Sequence, residues 1–202
     1  IVRLTHLIDV PGFQVVDVPQ GNLVDRAVFA KLNHMRIAPS ADCTDAEFIR
    51  RAYLDVLGAL PKPEEVDAFL KGDPADRRGK LIDALLERPE FYDFWALKFA
   101  DVLRSNGRLI EPKGAYVFHR WIRASLEAGM PMDRFVRELL ASDGSTFSNP
   151  ATNYYRISRE PEAAVETTAQ LFLGVRIQCA KCHNHPFERW TQDDYYNFAA
   201  FF

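Results

Sequence analysis

Apolar residues recur at three- and four-residue spacing along most of the chain, and the residues between the runs are those that start and stop helices. Leu23, Ala27, Ala30 and Leu32 line one side of a helix predicted from about Val24 to Met35. Thr44 and Glu47 form a T-x-x-E capping box ahead of Phe48, Ala52, Tyr53 and Val56, and Gly58 is placed to close that helix in the left-handed conformation. Pro63 suits the first turn of a short helix that carries Glu64 and Glu65 at its positive end. Asp73-Pro74 repeats the start signal before a predicted buried stripe of Leu81, Ile82, Leu85 and Leu86. Pro89 opens a helix with Phe91, Phe94, Trp95, Phe99 and Val102 that is expected to end near Gly107. Ala115, Phe118, His119, Ile122 and Leu126 define the next, ending at Gly129. Pro131 starts another through Phe135, Val136, Leu139 and Leu140. Residues 143–157 are rich in Gly, Ser, Asn and Pro and read as a long loop. A helix from Glu160 to Leu173 stops at Gly174, and Thr191 with Asp193 and Asp194 caps the last one.

The expected fold is therefore all-α, one multi-helix domain over residues 23–202. There is no βαβ alternation to build a nucleotide-binding sheet. Residues 1–22 differ: Ile8, Val10, Val15, Val16 and Val18 are β-branched and are broken by Pro11, Gly12, Pro19 and Gly21. They read as a linker or as the remnant of an upstream β module.

Charge and composition narrow the function classes. Lys and Arg number 25 and Asp and Glu 28, a net charge of −3 that leaves no electrostatic footprint for nucleic acid or an anionic membrane. No apolar stretch approaches the ~18–20 residues of a membrane span. With 202 residues a hydrophobic core suffices, and the three cysteines are not needed as a disulfide framework. The chain begins at Ile1 with no visible signal peptide and ends inside the apolar run Ala199–Phe202, so it is expected to be a piece of a longer protein.

The chemistry concentrates in Gln178-Cys179-Ala180-Lys181-Cys182-His183-Asn184-His185-Pro186-Phe187. Cys179-x-x-Cys182-His183 is the pattern of c-type haem attachment. On a helical turn, residues three apart share a face, so both thiols can reach the two vinyl groups on one haem edge. His183 is then carried beneath the ring as proximal ligand. Other readings of the same residues are a chance match, a zinc site of Cys179, Cys182, His183 and His185, a redox dithiol, or a local disulfide. Zinc ordinarily draws its second ligand pair from a dozen or more residues away, and a thioredoxin-like dithiol expects a βαβ context.

Around the motif stand Phe172, Phe187, Trp190, Tyr195, Tyr196, Phe198, Phe201 and Phe202, suited equally to a macrocycle or to a helical core. His119 falls on the apolar side of its helix and is the best candidate for a distal iron ligand. His185 is too close to His183 to cross to the other haem face. Arg156 or Arg176 could pair with haem propionates. Cys43 reads as a half-buried small residue with no part in the site. Trp95, Lys98, Asp101 and Arg104 share a helix face on which Lys98–Asp101 and Asp101–Arg104 are expected to pair.

The run Ala169–Phe187, followed by Asp194-Tyr195-Tyr196 and Ala200-Phe201-Phe202, resembles the planctomycete-type cytochrome domain. Phe48–Gly58 with Leu60-Pro61 and Pro63–Val66, and Pro131–Leu139, are similar to the same family, so the resemblance extends over residues 23–202. It implies a fold of cytochrome c type, covalent haem c and an extracytoplasmic setting, periplasmic or at the cell surface. It also implies upstream and downstream domains of the same polypeptide as partners. The expected function is electron transfer to a redox partner of unknown identity. The alternatives are a haem enzyme, oxidase or peroxidase-like, with an open iron position and polysaccharide as a possible substrate, or a structural module with zinc or no metal.

Overall fold

Wherever the computed structural model describes the chain, residues 10–16 and 22–202, it contains ten α-helices, two short 3₁₀ turns and no strand. The chain divides into two compact units, Ile1–Glu47 and Phe48–Phe202.

In the first unit, α1 (Leu23–Met35) starts at Asn22, whose side chain accepts from the Asp25 amide at 2.8 Å. Asn33 pairs with Val16 in both directions, its Oδ1 accepting from Val16 N and its Nδ2 donating to Val16 O, each at 3.0 Å. This amide pair imitates one rung of a β-ladder and holds the segment after the Pro11-Gly12 turn against α1. Residues 10–16 form no strand, and the rest of the expected β remnant, 1–9 and 17–21, lies outside the described residues.

The second unit takes up the chain within α2 (Asp45–Leu57), which packs with α3 (Pro63–Lys71) and α4 (Arg77–Leu86) around Ile49, Tyr53, Leu57, Phe69 and Leu85. The Thr44–Glu47 capping box forms as expected, with Glu47 Oε2 accepting from both Thr44 N and Thr44 Oγ1 at 2.8 Å. Gly58 adopts φ 67, and the Phe94 ring fills the space where a Cβ would stand, so the position requires glycine twice over. The stripe on α4 is narrower than predicted: Leu85 is buried, but Ile82 and Leu86 are 39% and 42% exposed. A ten-residue helix at the edge of its cluster offers only one line of side chains to it.

Helix α5 (Pro89–Val102) pairs with α6 (Gly107–Glu127) in the most extensive helix pairing of the unit. Its end corrects the expectation at Gly107. The helix stops at Val102, Arg104 takes the left-handed conformation (φ 59), and Ser105 N closes the end on Ala100 O at 2.8 Å. Gly107 instead starts α6, under an Asn106 cap that accepts from Arg108 N and Leu109 N. Glu111 (φ 64, ψ 157) breaks α6 just before Pro112, whose ring disfavours the helical region for the residue that precedes it.

Helix α7 (Met132–Leu140) brings Phe135 against Trp121, ring centroids 4.8 Å apart, in a core that includes Leu103, Phe118, Ile122, Leu139 and Tyr154. Tyr154 belongs to the stretch that the sequence presents as a loop. A 3₁₀ turn (Pro150–Thr152) and α8 (Asn153–Ile157) occupy its second half, with Asn153 and Tyr154 fully buried. The segment is too short and too polar to carry a periodic pattern; long-range packing orders it. The Tyr154 and Thr168 hydroxyls lie 2.8 Å apart, joining it to α9 (Pro161–Phe172). Gly174 ends that helix region at φ 67, and α10 (Gln192–Ala199) closes the chain. No described helix is long and apolar enough to cross a membrane.

Candidate functional site

After Gly174 the chain runs through Val175–Ile177 into a 3₁₀ turn, Gln178–Lys181. Burial alternates sharply here. Ile177 and Ala180 are 3% and 0% exposed and join Val165, Ala169, Tyr195 and Ala199 in a small core, whereas Cys179, Cys182 and His183 are exposed. The amides of Cys182 and His183 both donate to Cys179 O at 3.3 Å. Residues 179, 182 and 183 are therefore i, i+3 and i+4 of one helical turn and share its outer side, with Ala180 as the inward anchor. Both thiols are free.

Helix α10 holds this turn from the side. Thr191 and Asp194 form a capping box, with Asp194 Oδ2 accepting from Thr191 N at 2.9 Å and Asp194 N donating to Thr191 Oγ1 at 3.1 Å. Those bonds hold the Asp194 carboxyl below the usual aspartate range. Gln192 Nε2 and Tyr196 Oη both donate to Lys181 O, at 3.0 and 3.2 Å, and Gln192 N donates to Asn184 Oδ1 at 3.0 Å. Tyr195, buried against Ala180, donates its hydroxyl to Glu166 on α9 at 2.8 Å. Desolvation first, then that carboxylate, pushes the Tyr195 phenol well up.

The two histidines of the motif have different jobs. His183 Nδ1 lies 2.8 Å from Asn184 O. A carbonyl only accepts, so Nδ1 carries the proton in the neutral ring and Nε2 keeps its lone pair. His185 uses Nδ1 as an acceptor, from Phe187 N at 3.3 Å and Glu188 N at 3.0 Å, while its own amide donates to Trp190 O at 2.8 Å. It builds the 185–190 loop.

Among the described residues no three His, Cys, Asp or Glu side chains are grouped to hold a metal ion. Two unbonded thiols and an imidazole with a free Nε2 project from one side of one turn.

The remaining candidates lie elsewhere. His119 sits on α6, which packs mainly on α5, α8 and the Pro150–Thr152 turn, and it is half-buried. The burial expected from its apolar-face position is incomplete, so water can satisfy the ring. The Arg156 guanidinium packs on Gly114 of α6, where a Cβ would stand 3.0 Å from its Nη1. Arg176 is exposed in the approach to the motif. Cys43 is half-buried in the first unit. On α5 the expected charge pairs do not form: Lys98 turns over the Phe94 ring at 5.2 Å, and Arg104 lies past the helix end. Of the aromatic residues around the motif, Tyr195 is buried, Trp190, Phe198, Phe202 and Phe172 are half-buried, Tyr196 is exposed, and Phe187 and Phe201 are each 83% exposed. The sequence does not mark Asn184, Gln192 and Tyr196 as the residues that lock the turn; the polar Thr191-Gln192 pair at a helix start is their only signal.

A family model, PSCyt2, described as a protein of unknown function (DUF1549), matches residues 23–202. The chain belongs to that family. The match spans both the helical core and the Cys179–His183 turn, so this turn is presented by a PSCyt2 domain and not by an unrelated insertion. No curated protein and no solved structure is detectably similar to the chain.

Proposed function

We propose that this PSCyt2 domain is a c-type haem module that transfers electrons within a larger extracytoplasmic protein. Cys179 and Cys182 would form the thioether links and His183 the proximal bond to iron. The observation that carries this reading is the outward side of one turn, where two free thiols stand with an imidazole whose Nδ1 is committed to Asn184 O. Such a carbonyl bond orients a ligating imidazole and raises its basicity at Nε2. Haem, when bound, supplies a one-electron couple, and the chain supplies attachment, axial ligation and partial shielding. The cytochrome-type architecture, the periplasmic or cell-surface location and the neighbouring domains of the same polypeptide as partners belong to the same proposal, because thioether formation at C-x-x-C-H takes place outside the bacterial cytoplasm.

The test is expression with haem-maturation machinery, followed by denaturing mass spectrometry and a pyridine haemochrome spectrum. The expected product is the chain plus one haem; bare polypeptide after verified maturation overturns the reading in favour of a structural module. Electron paramagnetic resonance of the ferric protein then separates electron transfer from the haem-enzyme alternative. A low-spin signal that turns high-spin in His119→Ala supports bis-histidine electron transfer. A high-spin signal in the unmodified protein removes His119 from the iron and favours an enzyme with an open position.

A further inference from the structure

We infer that in the haem-free chain Cys179 and Cys182 bind one copper(I) ion as a two-thiolate site, so that this turn holds either copper or haem and never both. The copper site rests on the two thiols alone; only its exclusion by haem rests on the reading above.

The backbone sets up the pair. Gln178–Lys181 is a 3₁₀ turn capped by Cys182, whose amide donates to Cys179 O at 3.3 Å, an i→i+3 bond. In a 3₁₀ turn the side chains at i and i+3 eclipse, so Cys179 and Cys182 stand one above the other, about 6 Å apart along the axis. From that register both Sγ atoms reach a single ion held between them. The two residues are exposed and their thiols are free, so no described element has to move to admit a ligand. The turn is also ordered in advance. Ala180 is 0% exposed in the core beneath it, and Lys181 O is held by Gln192 and Tyr196. Binding therefore orders little beyond two side-chain rotamers.

The number of donors selects the metal. Soft thiolates favour copper(I), zinc and iron–sulfur clusters. Zinc takes three or four protein ligands and iron–sulfur clusters four, and among the described residues no third His, Cys, Asp or Glu side chain is grouped with the pair. Copper(I), with a filled d shell, is satisfied by two thiolates in line. His183 commits Nδ1 to Asn184 O and is not required.

The step balances without any change of oxidation state: each thiol releases one proton, two Cu–S bonds form, and the complex carries one net negative charge. Lys181 is the cation nearest in sequence, and its ammonium is only loosely engaged, 3.9 Å from Glu162. Haem attachment turns both thiols into thioethers, which cannot ionise, and so removes the copper site. A copper-loaded turn in its turn has no free thiol to add to a vinyl group.

Anaerobic titration of the reduced, haem-free protein with copper(I) tests the assignment. Bicinchoninate, whose copper complex is coloured, competes for the metal, and native mass spectrometry gives the stoichiometry. One copper(I) per chain is expected to be withheld from bicinchoninate and to protect Cys179 and Cys182 from alkylation. Cys179→Ser and Cys182→Ser each lose the ion, whereas Cys43→Ser and His183→Ala keep it; circular dichroism confirms that all four variants are folded. Complete transfer of copper to bicinchoninate from the unmodified protein overturns the inference, as does copper retained in either single serine variant or found only between two chains. The matured, haem-bearing protein is expected to take up no copper, and uptake there overturns the exclusion. A chain that binds copper but never acquires haem leaves the copper site standing and removes the haem reading.

Discussion

The imidazole of His183 is tied to the carbonyl of the very next residue: His183 Nδ1 and Asn184 O are 2.8 Å apart. The Asn184 side chain is in turn held by the Gln192 amide at 3.0 Å, so the start of α10 sets the orientation of the carbonyl and hence the tautomer of the ring. In haem-free protein at mildly alkaline pH, nitrogen-15 shifts of His183 are expected to report Nδ1–H. Asn184→Ala releases the carbonyl and shifts the ring toward the Nε2–H form that predominates in a free histidine side chain, whereas Asn184→Asp keeps an acceptor for Gln192 and the original tautomer. The same tautomer in all three proteins would sever the link between α10 and the ligand.

His185 and His183 separate cleanly in their consequences. His185 Nδ1 is the acceptor for two loop amides, so His185→Ala leaves Phe187 N and Glu188 N without a partner and costs about 1 kcal/mol, with the iron spectrum of the matured protein unchanged. His183→Ala leaves thermal stability almost untouched, since its ring is exposed, and changes the spin state strongly. Thermal melts and electron paramagnetic resonance on both variants check the pair.

Gly58 combines a left-handed backbone with a close approach of the Phe94 ring. Gly58→Ala therefore adds a conformational penalty to a steric one, roughly 2–4 kcal/mol together. Urea denaturation followed by tryptophan fluorescence is expected to show that loss. A change below about 0.5 kcal/mol would mean that the α2–α3 corner and α5 are not packed as described.

Helix starts are legible in the sequence because caps are local. Thr44, Pro63, Pro89, Pro131, Pro161 and Thr191 all stand at or beside the observed beginnings. Ends and faces are less so. Gly107 looks like a stop signal, but Asn106 beside it makes it a start, and only tertiary packing decides that Ile82 and Leu86 stay exposed beside a buried Leu85. At the site, the spacing of Cys179, Cys182 and His183 can be read directly. The residues that lock it cannot: Gln192 reaches Lys181 across eleven positions and Tyr196 across fifteen, bonds that no local pattern encodes. Arg104 reads as part of a charged helix face because nothing in the sequence announces a left-handed arginine.

Carboxylates with depressed pKa values make this protein sensitive to acid. The Arg88 guanidinium, bonding Glu90 at 2.6 Å, holds that carboxyl down at about 2 against an ordinary 4.5. Glu65 is lowered mainly by the Lys62 amide and then by Arg88, and Asp194 by Thr191. A depressed folded value means that the stabilisation is complete above the unfolded pKa and is lost as pH falls through the folded one. Stability is thus expected to decline between about pH 4.5 and about 2. Arg88→Gln flattens that decline by returning Glu90 and Glu65 toward their ordinary values. Urea midpoints measured along a pH series give the slope for each protein, and equal slopes would rule out Arg88 as the cause.

Tyr154 tests whether residues 150–158 are core rather than loop. Its side chain is 0% exposed, burial pushes its phenol up, and the hydroxyl lies 2.8 Å from Thr168 Oγ1 on α9. Tyr154→Phe keeps the ring and leaves Thr168 Oγ1 without its tyrosine partner in a buried place, a cost of about 1–2 kcal/mol. Tyr154→Ala removes the ring from the cluster of Phe118, Ile122 and Leu139 and costs roughly 3–5 kcal/mol. Hydrogen exchange distinguishes the two halves of the segment. The Ser158 amide, bonded to Tyr154 O at 3.0 Å, is expected to exchange with the protection of the helical core, whereas the amides of 143–148, mostly exposed, exchange fast. A loop in the ordinary sense would show neither the large Tyr154→Ala loss nor protection at Ser158, and the Tyr154–Thr168 bond would then play no part in joining α8 to α9.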